Sequence, residues 1–464
     1  MCHFGNPVEW SLLFVLLFEV TLMLRAAFGL LVLGCAPVFG DDWPQWFGPK
    51  RDGVWREDGI LAKFPDGGPK QVWKTEIGAG YSGSAVVGDF VYITDRVSPK
   101  IEGNPAKAIT SVGKERVLCL NAKTGVEVWK HEYECEYKRI SYGFGPRTTP
   151  TIVDDKLYTL RAMGDLKCLD AKTGKQIWAV NFPKDLDAKV PIWGFSSSPL
   201  IDSDKIYCLV GGEKQAVAAF DRKDGKKLWS ALTTEEVGYC PPIIIDAGGK
   251  RQLIIWHSES VNSLNPETGE KYWGEKYPRD VPANRPAAPI SQPQLSGDVL
   301  FVCSFYHGPF ALKLDAKEPK ASVLWRGKTD DFSKVTGLRS LMSTPFIKDG
   351  HIYGFCRSGE MRCCELQTGK ELWESLAHQG DKKLQFGNVF ITPHNDRFFL
   401  FTDAGNLIIA DLTPKGYKEL SRAKIIEPTQ PNSGRDVVWS HPAYAHKRIF
   451  VRNDKSIVCV SLTS

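Results

Sequence analysis

One short phrase recurs five times along the chain and constrains its fold more than any other feature. The phrase reads Asx-x-x-Thr-Gly, with small variations, and a tryptophan follows the glycine after three further residues. The five tryptophans are Trp129, Trp178, Trp229, Trp273 and Trp373, and their spacings are 49, 51, 44 and 100 residues. The last spacing is two units of about 50, and a fixed period of this size is typical of solenoids, propellers and arrays.

Each copy of the phrase lies between two apolar, β-prone runs, such as 166–169 and 176–178 in the second unit, where a further run covers 156–160. The Asx side chain can accept hydrogen bonds from nearby backbone amides, and the glycine can take the positive φ that a tight turn needs. The phrase therefore predicts a hairpin turn that places the tryptophan on the next strand. There the ring can pack against a neighbouring unit and donate a hydrogen bond through its indole nitrogen.

A second sequence signal marks the first strand of each unit, and its eight occurrences indicate eight units. A small or hydroxyl residue precedes proline at 148–150, 197–199, 241–242, 291–293, 343–345, 391–393 and 440–442, and Ser82-Gly83-Ser84 takes the first place without proline. The last unit, 439–462, has only three strands. Lys70–Ile77, with Trp73 in the docking position, supplies the fourth. We therefore predict an all-β, eight-bladed β-propeller in which an N-terminal strand closes the last blade and removes exposed sheet edges.

Seven tryptophans are predicted to dock one blade against the next. They are Trp73, Trp129, Trp178, Trp229, Trp273, Trp325 and Trp373. A pair of β-sandwiches is the competing architecture, but it does not explain the constant period.

The chain divides into three segments. Residues 1–40 have the charged start at Arg25, the short apolar run and the small-residue exit of a secretory leader, with Met23 as an alternative start of translation. Residues 41–69 form a lead-in segment, and residues 70–464 form the propeller. A lipoprotein-like alternative makes Cys35 a lipid acceptor, and membrane attachment is expected only in that case.

Charge and cysteine content exclude several classes of function. The net charge is only +5 and no nucleic-acid motif is present, so we expect no nucleic-acid partner. Ten of the twelve cysteines lie beyond residue 40, but Cys119, Cys168 and Cys363 each stand five residues before the turn threonine. That common register indicates a small packing position. For the adjacent pair Cys363-Cys364 we favour packing over a redox disulfide, because neighbours on a strand face opposite ways.

The repeated phrase resembles the tryptophan-docking motif of the pyrroloquinoline-quinone (PQQ)-type β-propellers, and the resemblance covers nearly everything after residue 70. The segment Trp43–Gly53 is similar to the lead-in of bacterial exported proteins of that group. The resemblance implies an exported protein of the periplasm or cell envelope. Two better-known branches share the repeat, namely quinoprotein dehydrogenases, which hold PQQ and calcium on the propeller axis, and a non-catalytic scaffold of outer-membrane barrel assembly.

Residues near the predicted inner-strand starts are the candidates for an axial ligand site. They are Arg147, Trp193, Arg285, Arg339, Asn388, Trp439 and His441. Arginines with aromatic side chains suit a planar or anionic ligand, although propeller funnels also need such residues simply as a polar lining. Carboxylates and amides are scarce there, so we expect no metal site and no resident cofactor; PQQ, with or without calcium, is the alternative. We assign no catalytic residue, and 257–260 is interpreted as a solvated hairpin rather than a triad.

The sequence therefore favours a non-enzymatic binding or assembly scaffold at the cell envelope, whose partner is an envelope protein or a small planar or anionic ligand. The alternative is a PQQ-dependent oxidoreductase acting on an alcohol or sugar. A third hypothesis is a glycan-binding module, because Trp193 and Trp439 could stack on sugar rings.

Overall fold

The computed structural model describes Met1 and residues 41–100, 104–276, 288–306, 308–327 and 337–464. The predicted leader, Met23, Cys35 and Arg285 lie outside the described residues. Within the described part, short strands joined by tight turns make up almost all of the regular structure. The repeated hairpin phrase explains this pattern, since it supplies a turn about every 50 residues.

The strands of the first half are β1 Gln71–Glu76, β2 Ala85–Val87, β3 Phe90–Val97, β4 Ile109–Asn121, β5 Glu127–Ile140, β6 Thr151–Val153, β7 Lys156–Leu160, β8 Asp165–Asp170, β9 Gln176–Asn181, β10 Leu200–Asp202, β11 Lys205–Leu209, β12 Val217–Asp221, β13 Lys227–Ala231, β14 Ile243–Ala247, β15 Lys250–His257, β16 Ser260–Leu264 and β17 Lys271–Lys276. Those of the second half are β18 Gln294–Ser296, β19 Val299–Ser304, β20 Gly308–Leu314, β21 Ala321–Arg326, β22 Phe346–Lys348, β23 His351–Phe355, β24 Met361–Glu365, β25 Glu371–Ser375, β26 Val389–His394, β27 Arg397–Thr402, β28 Asn406–Thr413, β29 Gly416–Lys424, β30 Gln430–Asn432, β31 Arg435–Val437, β32 Ala443–Ala445, β33 Arg448–Arg452 and β34 Ser456–Ser461.

These strands build the eight-bladed propeller that the repeat predicted. Seven consecutive groups of four, from β2–β5 to β26–β29, form antiparallel sheets in chain order, and we number them blades 1 to 7. Blade 8 has the order β1-β34-β33-β32. In it Trp73 pairs with Cys459 and Lys74 pairs with Val458, so the N-terminal strand closes the ring as predicted.

The docking tryptophans join neighbouring blades through one recurring hydrogen bond. In six of the seven predicted positions the indole N–H donates to a backbone carbonyl in the turn of the next blade. These bonds run from Trp73 to Ala122 (3.0 Å), Trp129 to Ala171 (3.1 Å), Trp178 to Arg222 (3.2 Å), Trp229 to Pro266 (3.2 Å), Trp325 to Leu366 (2.8 Å) and Trp373 to Thr413 (2.9 Å). The first bond links blade 8 to blade 1, so the same contact that joins the blades also closes the ring.

The glycine of the phrase has a second role that the turn chemistry did not predict. Gly125, Gly174, Gly225, Gly269 and Gly369 all have φ between +71° and +77°, which is the left-handed conformation that the turn requires. A Cβ atom on any of them would lie 2.4–2.7 Å from the tryptophan ring of the preceding blade. The glycine is therefore needed for the close approach of that ring as well as for the turn.

Trp273 is the exception, and the sequence of the next blade explains it. Blade 5 lacks the Thr-Gly turn, and the indole N–H of Trp273 donates instead to the side-chain oxygen of Gln252 in its own blade, at 2.8 Å. The ring remains buried in the core between blades 4 and 5.

Strand register explains the recurring cysteine position. Cys119, Cys168 and Cys363 lie directly opposite Trp129, Trp178 and Trp373 on the neighbouring strand. A small side chain is needed there because the large ring fills the cross-strand space. The ten cysteines in the described part of the chain are free and buried. Cys363 and Cys364 belong to different core clusters, on opposite faces of their strand, as the packing interpretation expects.

Three additions distinguish this ring from a bare repeat. The first blade is enlarged, because β4 and β5 have 13 and 14 residues and are longer than the strands of the other blades, and Val97 of β3 pairs with Lys114. A short helix α1, Phe182–Leu186, follows β9, and a 3-10 helix covers Ala377–Gln379. The connection between blades 7 and 8 contains the separate hairpin β30–β31. Of these additions, the first-blade connection at 104–106 and the β30–β31 hairpin line the face described next.

Candidate functional site

A cavity of about 210 Å³ lies where the inner strands of the blades begin, on the propeller axis. Its wall is contributed mainly by the segments that precede these strands. Phe305 and Tyr306 of the β19–β20 connection, Phe390 of β26 and Trp46 of the lead-in complete it. The lining residues are Trp46, Tyr81, Tyr142, Arg147, Trp193, Ser196, Tyr239, Pro241, Ala288, Ile290, Phe305, Tyr306, Leu341, Met342, Phe386, Phe390, Trp439 and His441. We call this cavity the aromatic well.

Aromatic rings dominate the well, and several of them are paired. Trp193 lies 5.1 Å from Tyr239, and Tyr142 lies 6.0 Å from Trp439, between ring centroids. Rings of this kind offer apolar faces, while the hydroxyl and indole groups at their edges can form hydrogen bonds. Burial holds the pKa of Tyr239 well above its ordinary value, so this hydroxyl keeps its proton at neutral pH.

The structure brings four of the seven predicted site residues together. Arg147, Trp193, Trp439 and His441 all line the aromatic well. Arg339 and Asn388 are buried, each about 2% exposed, and are not part of its lining. The backbone N–H of Arg339 donates to the sulfur of Cys356 at 3.3 Å, and that of Asn388 donates to Asp403 at 3.0 Å. Arg285 lies outside the described residues.

The guanidinium of Arg147 is committed to the wall. Its Nη1 donates to the carbonyl of Gly145 at 2.7 Å, and its Nη2 donates to the carbonyls of Ser141 and Tyr142 at 2.9 and 2.6 Å. The guanidinium carbon also lies 5.2 Å from the ring centroid of Tyr81. These contacts fix the loop 141–147, which carries Tyr142. They also use most of the N–H donors that the guanidinium could offer to an anionic ligand.

The lead-in segment fills the axial channel beneath the well. The backbone of Trp43 pairs with Val86 of blade 1, and the carbonyl of Pro44 accepts from Ile152 of blade 2. The N–H of Trp55 donates to Pro393 of blade 7 at 2.9 Å. Residues 43–57 thus pair with the inner strands of blades 1, 2 and 7, and we call them the plug.

Arg51 anchors the centre of the plug. Its guanidinium donates to the carbonyls of Pro199 in blade 3 and Pro242 in blade 4, at 3.2 and 3.4 Å. The side chain of Gln292 in blade 5 donates to the carbonyl of Arg51 and accepts from the indole of Trp46. Burial lowers the pKa of Arg51 to about 10, which leaves it charged at neutral pH. The plug is therefore held to blades 3, 4 and 5 by four hydrogen bonds, and none of these four is an ion pair.

His441 and Trp46 form the floor of the well. Their ring centroids are 4.0 Å apart, and His441 lies 3.9 Å from Phe390 on its other side. Burial among these rings lowers the pKa of His441 well below its ordinary value. A neutral imidazole in this position is an apolar contact and a hydrogen-bonding group for a ligand, and not a cation.

A polar groove of about 690 Å³ adjoins the well at the same face. It is lined by Asn104, Pro105, Ala106, Tyr142, Gln385, Phe386 and residues 431–436 of the β30–β31 hairpin. Tyr142 and Phe386 line both cavities, so the two spaces share an edge. We call this second space the rim groove.

Sequence reasoning missed most of the aromatic wall. Tyr81, Tyr142 and Phe386 lie in loops before the inner strands, whereas Phe305 and Tyr306 lie in the connection between β19 and β20. No repeat register marks these residues. An aromatic residue recurring shortly before each strand start is a signal that could have found some of them. Trp46 was visible as part of the lead-in motif, but its place beneath the axis depends on the fold of the plug.

The segment 257–260 forms the predicted turn but is not solvated, so that part of the interpretation was wrong. His257 is buried, and its Nε2 lies 3.1 Å from both Ser260 Oγ and Asn262 Nδ2. Burial lowers the pKa of His257 to about 4. Its partners are neutral neighbours in the same hairpin, so this is a structural network and not a catalytic triad.

Stability is expected to fall in acid because several histidines are buried in the neutral form. Burial lowers the pKa of both His257 and His378 to about 4. The unfolded chain gains these protons near pH 6.5, so their contribution is complete above that pH and is lost as the pH falls from 6.5 towards 4, by about 3 kcal/mol for each group. Urea unfolding between pH 7.5 and 4 measures the decline.

His378→Phe isolates one of these contributions, since the ring packs against Phe355 at 5.1 Å. We expect the variant to lose less stability between pH 7.5 and 4 than the natural protein. Parallel pH profiles for the two proteins would contradict the assignment.

The described residues do not provide the site that PQQ and calcium need. No three His, Cys, Asp or Glu side chains among them converge as metal ligands, and the described lining of the well contains no carboxylate. PQQ is a planar tricarboxylate, yet the one cationic side chain of the described lining is committed to three backbone carbonyls. The lining therefore suits an uncharged ligand better than this cofactor.

The fold and the axial well define a tryptophan-docked propeller with a PQQ-like repeat. Residues 113–375 and 257–464 match the family described as outer membrane protein assembly factor BamB. These matches cover more than half of the chain, and the protein belongs to this family of PQQ-like propeller repeat proteins. A search of curated proteins finds none that matches.

Solved structures share the fold at low sequence identity. BamB from Moraxella catarrhalis is 14% identical with a TM-score of 0.56, and the match covers 85% of this chain and 99% of that one. Quinohemoprotein alcohol dehydrogenase from Comamonas testosteroni is 13% identical with a TM-score of 0.58, over 91% of this chain and 81% of that one. Identities this low show the common propeller and nothing about activity. Within the described part of this chain, no helix is long and apolar enough to cross a membrane.

Proposed function

We propose that this protein is a non-enzymatic binding scaffold of the cell envelope, and that it binds its partner at the face that holds the aromatic well and the rim groove. The observation that carries the proposal is the lining of the well, which combines about ten aromatic rings with a neutral histidine and an arginine committed to the wall. Such a surface binds by stacking and burial, whereas a dehydrogenase needs groups that hold a charged cofactor and move a proton.

The plug supports the assignment of this face. Because residues 43–57 occupy the channel beneath the well, a ligand reaches the axial rings from the well side. The rim additions, namely the long first-blade hairpin and the β30–β31 hairpin, belong to the same face. Loops on a rigid scaffold are where binding residues concentrate.

The envelope location rests on the membership in the BamB family and on the leader expected in residues 1–40. The partner that the sequence predicted is an envelope protein or a small planar or anionic ligand. Because the guanidinium of Arg147 is bound to backbone carbonyls, uncharged partners are favoured over anionic ones.

An assay for dehydrogenase activity tests the non-enzymatic part. The full chain is mixed with PQQ and calcium, and dye reduction is followed with short alcohols and aldose sugars. We expect rates within twofold of a protein-free control. A PQQ-dependent rate that is lost in Trp439→Ala would overturn the proposal in favour of an oxidoreductase.

Site-specific photo-crosslinking in the native host tests the binding part. A benzoylphenylalanine at Phe386 lies on the shared edge of the well and the groove, whereas the same probe at Leu228 lies on the outer strand of blade 3, where the side chain is 46% exposed. We expect a discrete adduct from position 386 and none from position 228. Equal labelling from both positions, or none from 386, would contradict this choice of face.

A further inference from the structure

The aromatic well and the rim groove form one composite site with two chemistries. The well offers ring faces, and the groove offers amide and hydroxyl groups from Asn104, Gln385, Asn432 and Ser433. Because Tyr142 and Phe386 line both spaces, a ligand that fills the well can continue into the groove. The site therefore suits an extended ligand with a ring at one end.

Several side chains that line this composite site carry a buried polar atom without a hydrogen-bond partner among the described residues. They include Tyr81, through its hydroxyl on the wall of the well, and Asn432, through its Nδ2; Asn432 is 3% exposed and lines the groove. A buried donor without a partner costs about 1–3 kcal/mol, so a ligand that supplies an acceptor would relieve that cost. The oxygen of the same Asn432 amide already accepts a hydrogen bond from Ser433 at 3.4 Å, so the nitrogen is the atom of this amide that has an unused donor.

The charges of the composite site are largely balanced within the protein. Arg147 is bound to three carbonyls, and Arg435 pairs with Asp403 at 2.7 Å. Asp436 is the exposed carboxylate of the groove lining. Within the described lining, a strongly anionic ligand would meet this carboxylate without gaining a free guanidinium, and so this lining favours a neutral ligand.

We propose that the well and the groove bind a neutral oligosaccharide, with one sugar ring stacked in the well and the following units along the groove. This proposal rests on the proposed binding function and names its ligand class. Sugar rings present C–H faces that pack on Trp193 and Trp439, and their hydroxyls both donate and accept, which matches the amides of the groove. A peptide with an aromatic anchor would also fill the well, but it would need backbone partners in the groove, whereas the groove offers mainly side-chain amides.

The test is titration calorimetry of the full chain with neutral hexasaccharides built from glucose, mannose, xylose and N-acetylglucosamine. A hexagalacturonate and a hexapeptide with a terminal phenylalanine serve as comparison ligands. We expect at least one neutral hexamer to bind saturably, at least tenfold more tightly than its monosaccharide. The gain reflects the groove contacts beyond the first ring.

Variants assign the binding to this site. We expect Trp439→Ala and Trp193→Ala each to weaken the hexamer at least tenfold and Asn432→Ala to weaken it severalfold, while Trp439→Phe retains most of the affinity. Leu228→Ala, on the outer surface of blade 3, is the control that leaves binding unchanged. Far-ultraviolet circular dichroism and thermal melting establish that each variant is folded.

The outcomes separate the two proposals. Preference for hexagalacturonate or for the peptide, or hexamer binding that Trp439→Ala and Trp193→Ala leave intact, would overturn the oligosaccharide. If no neutral hexamer binds while the probe at position 386 still gives its adduct, the ligand class is wrong and the binding function stands. Turnover with PQQ would overturn the binding function itself.

Discussion

Replacing Trp55 by alanine is expected to lower the free energy of unfolding by about 3–5 kcal/mol, the range found for aromatic-to-alanine changes in cores. The ring is 1% exposed and lies 5.0 Å from Tyr444 and 5.2 Å from Phe399. Its indole donates to Glu57 at 2.9 Å, and Glu57 in turn accepts from the backbone of Lys447 in blade 8. The substitution therefore leaves a cavity and a buried carboxylate with one partner fewer. Denaturant unfolding measures the loss.

Trp193→Ala is the matched control for Trp55→Ala, since this tryptophan is only half-buried in the wall of the well. We expect it to lower stability by no more than about 1 kcal/mol. Limited proteolysis adds a local readout, because loosening of the plug exposes the chain around Arg51 and Gly53 in the Trp55 variant. Equal stability losses in the two variants would show that the plug does not contribute to the core as described.

Replacing Trp73 by alanine is expected to lower the free energy of unfolding by about 3 kcal/mol or more, as for other aromatic-to-alanine changes in cores, and to promote self-association. The ring is 7% exposed, its indole donates to Ala122 at 3.0 Å, and it packs against Gly125 of blade 1. Without the ring, β1 is held to β34 mainly by backbone pairing, and its release leaves the edge of β34 exposed to other chains. Unfolding curves and light scattering at increasing protein concentration measure the two effects.

Val126→Thr is the control for Trp73→Ala. Val126 lies in the turn beside Gly125 and is 64% exposed, so the change is expected to alter stability by less than about 0.5 kcal/mol. A Trp73 variant that remains monomeric and as stable as this control would refute ring closure through β1.

Much of the fold could be predicted from the sequence because each repeat contains the same turn and the same docking tryptophan. Each Asx-x-x-Thr-Gly phrase encodes a hairpin by local chemistry, and the tryptophan four residues after the glycine encodes contact with the next blade. The count of eight, the closing strand at Trp73 and the small residue opposite each docking ring all follow from that register. Local signals repeated at a fixed period reinforce one another, and so a single sequence is enough to read them.

The candidate site was predicted only in part, because a propeller axis collects residues from every blade. Arg147 was correctly placed near the axis, but the loop carbonyls that bind its guanidinium could not be predicted. Because of these hydrogen bonds, Arg147 stabilises the loop and does not bind an anion. Arg339 and Asn388 occupy similar sequence positions yet are buried away from the lining. Trp193 and Arg339 both stand six residues before the proline of their blade, yet only Trp193 lines the cavity. The path of each loop, and not the position in the sequence, therefore decides whether a side chain reaches the cavity.

The sequence by itself determined the propeller, its closure and its docking tryptophans, since these depend on turn chemistry and on periodic burial within short stretches of chain. Only the tertiary structure decided that the lead-in lies inside the ring as a plug, that Trp46 and His441 form the floor of an aromatic well, and that the well opens into a polar groove. Those features join residues hundreds of positions apart, and no local pattern records the loop paths that bring them together.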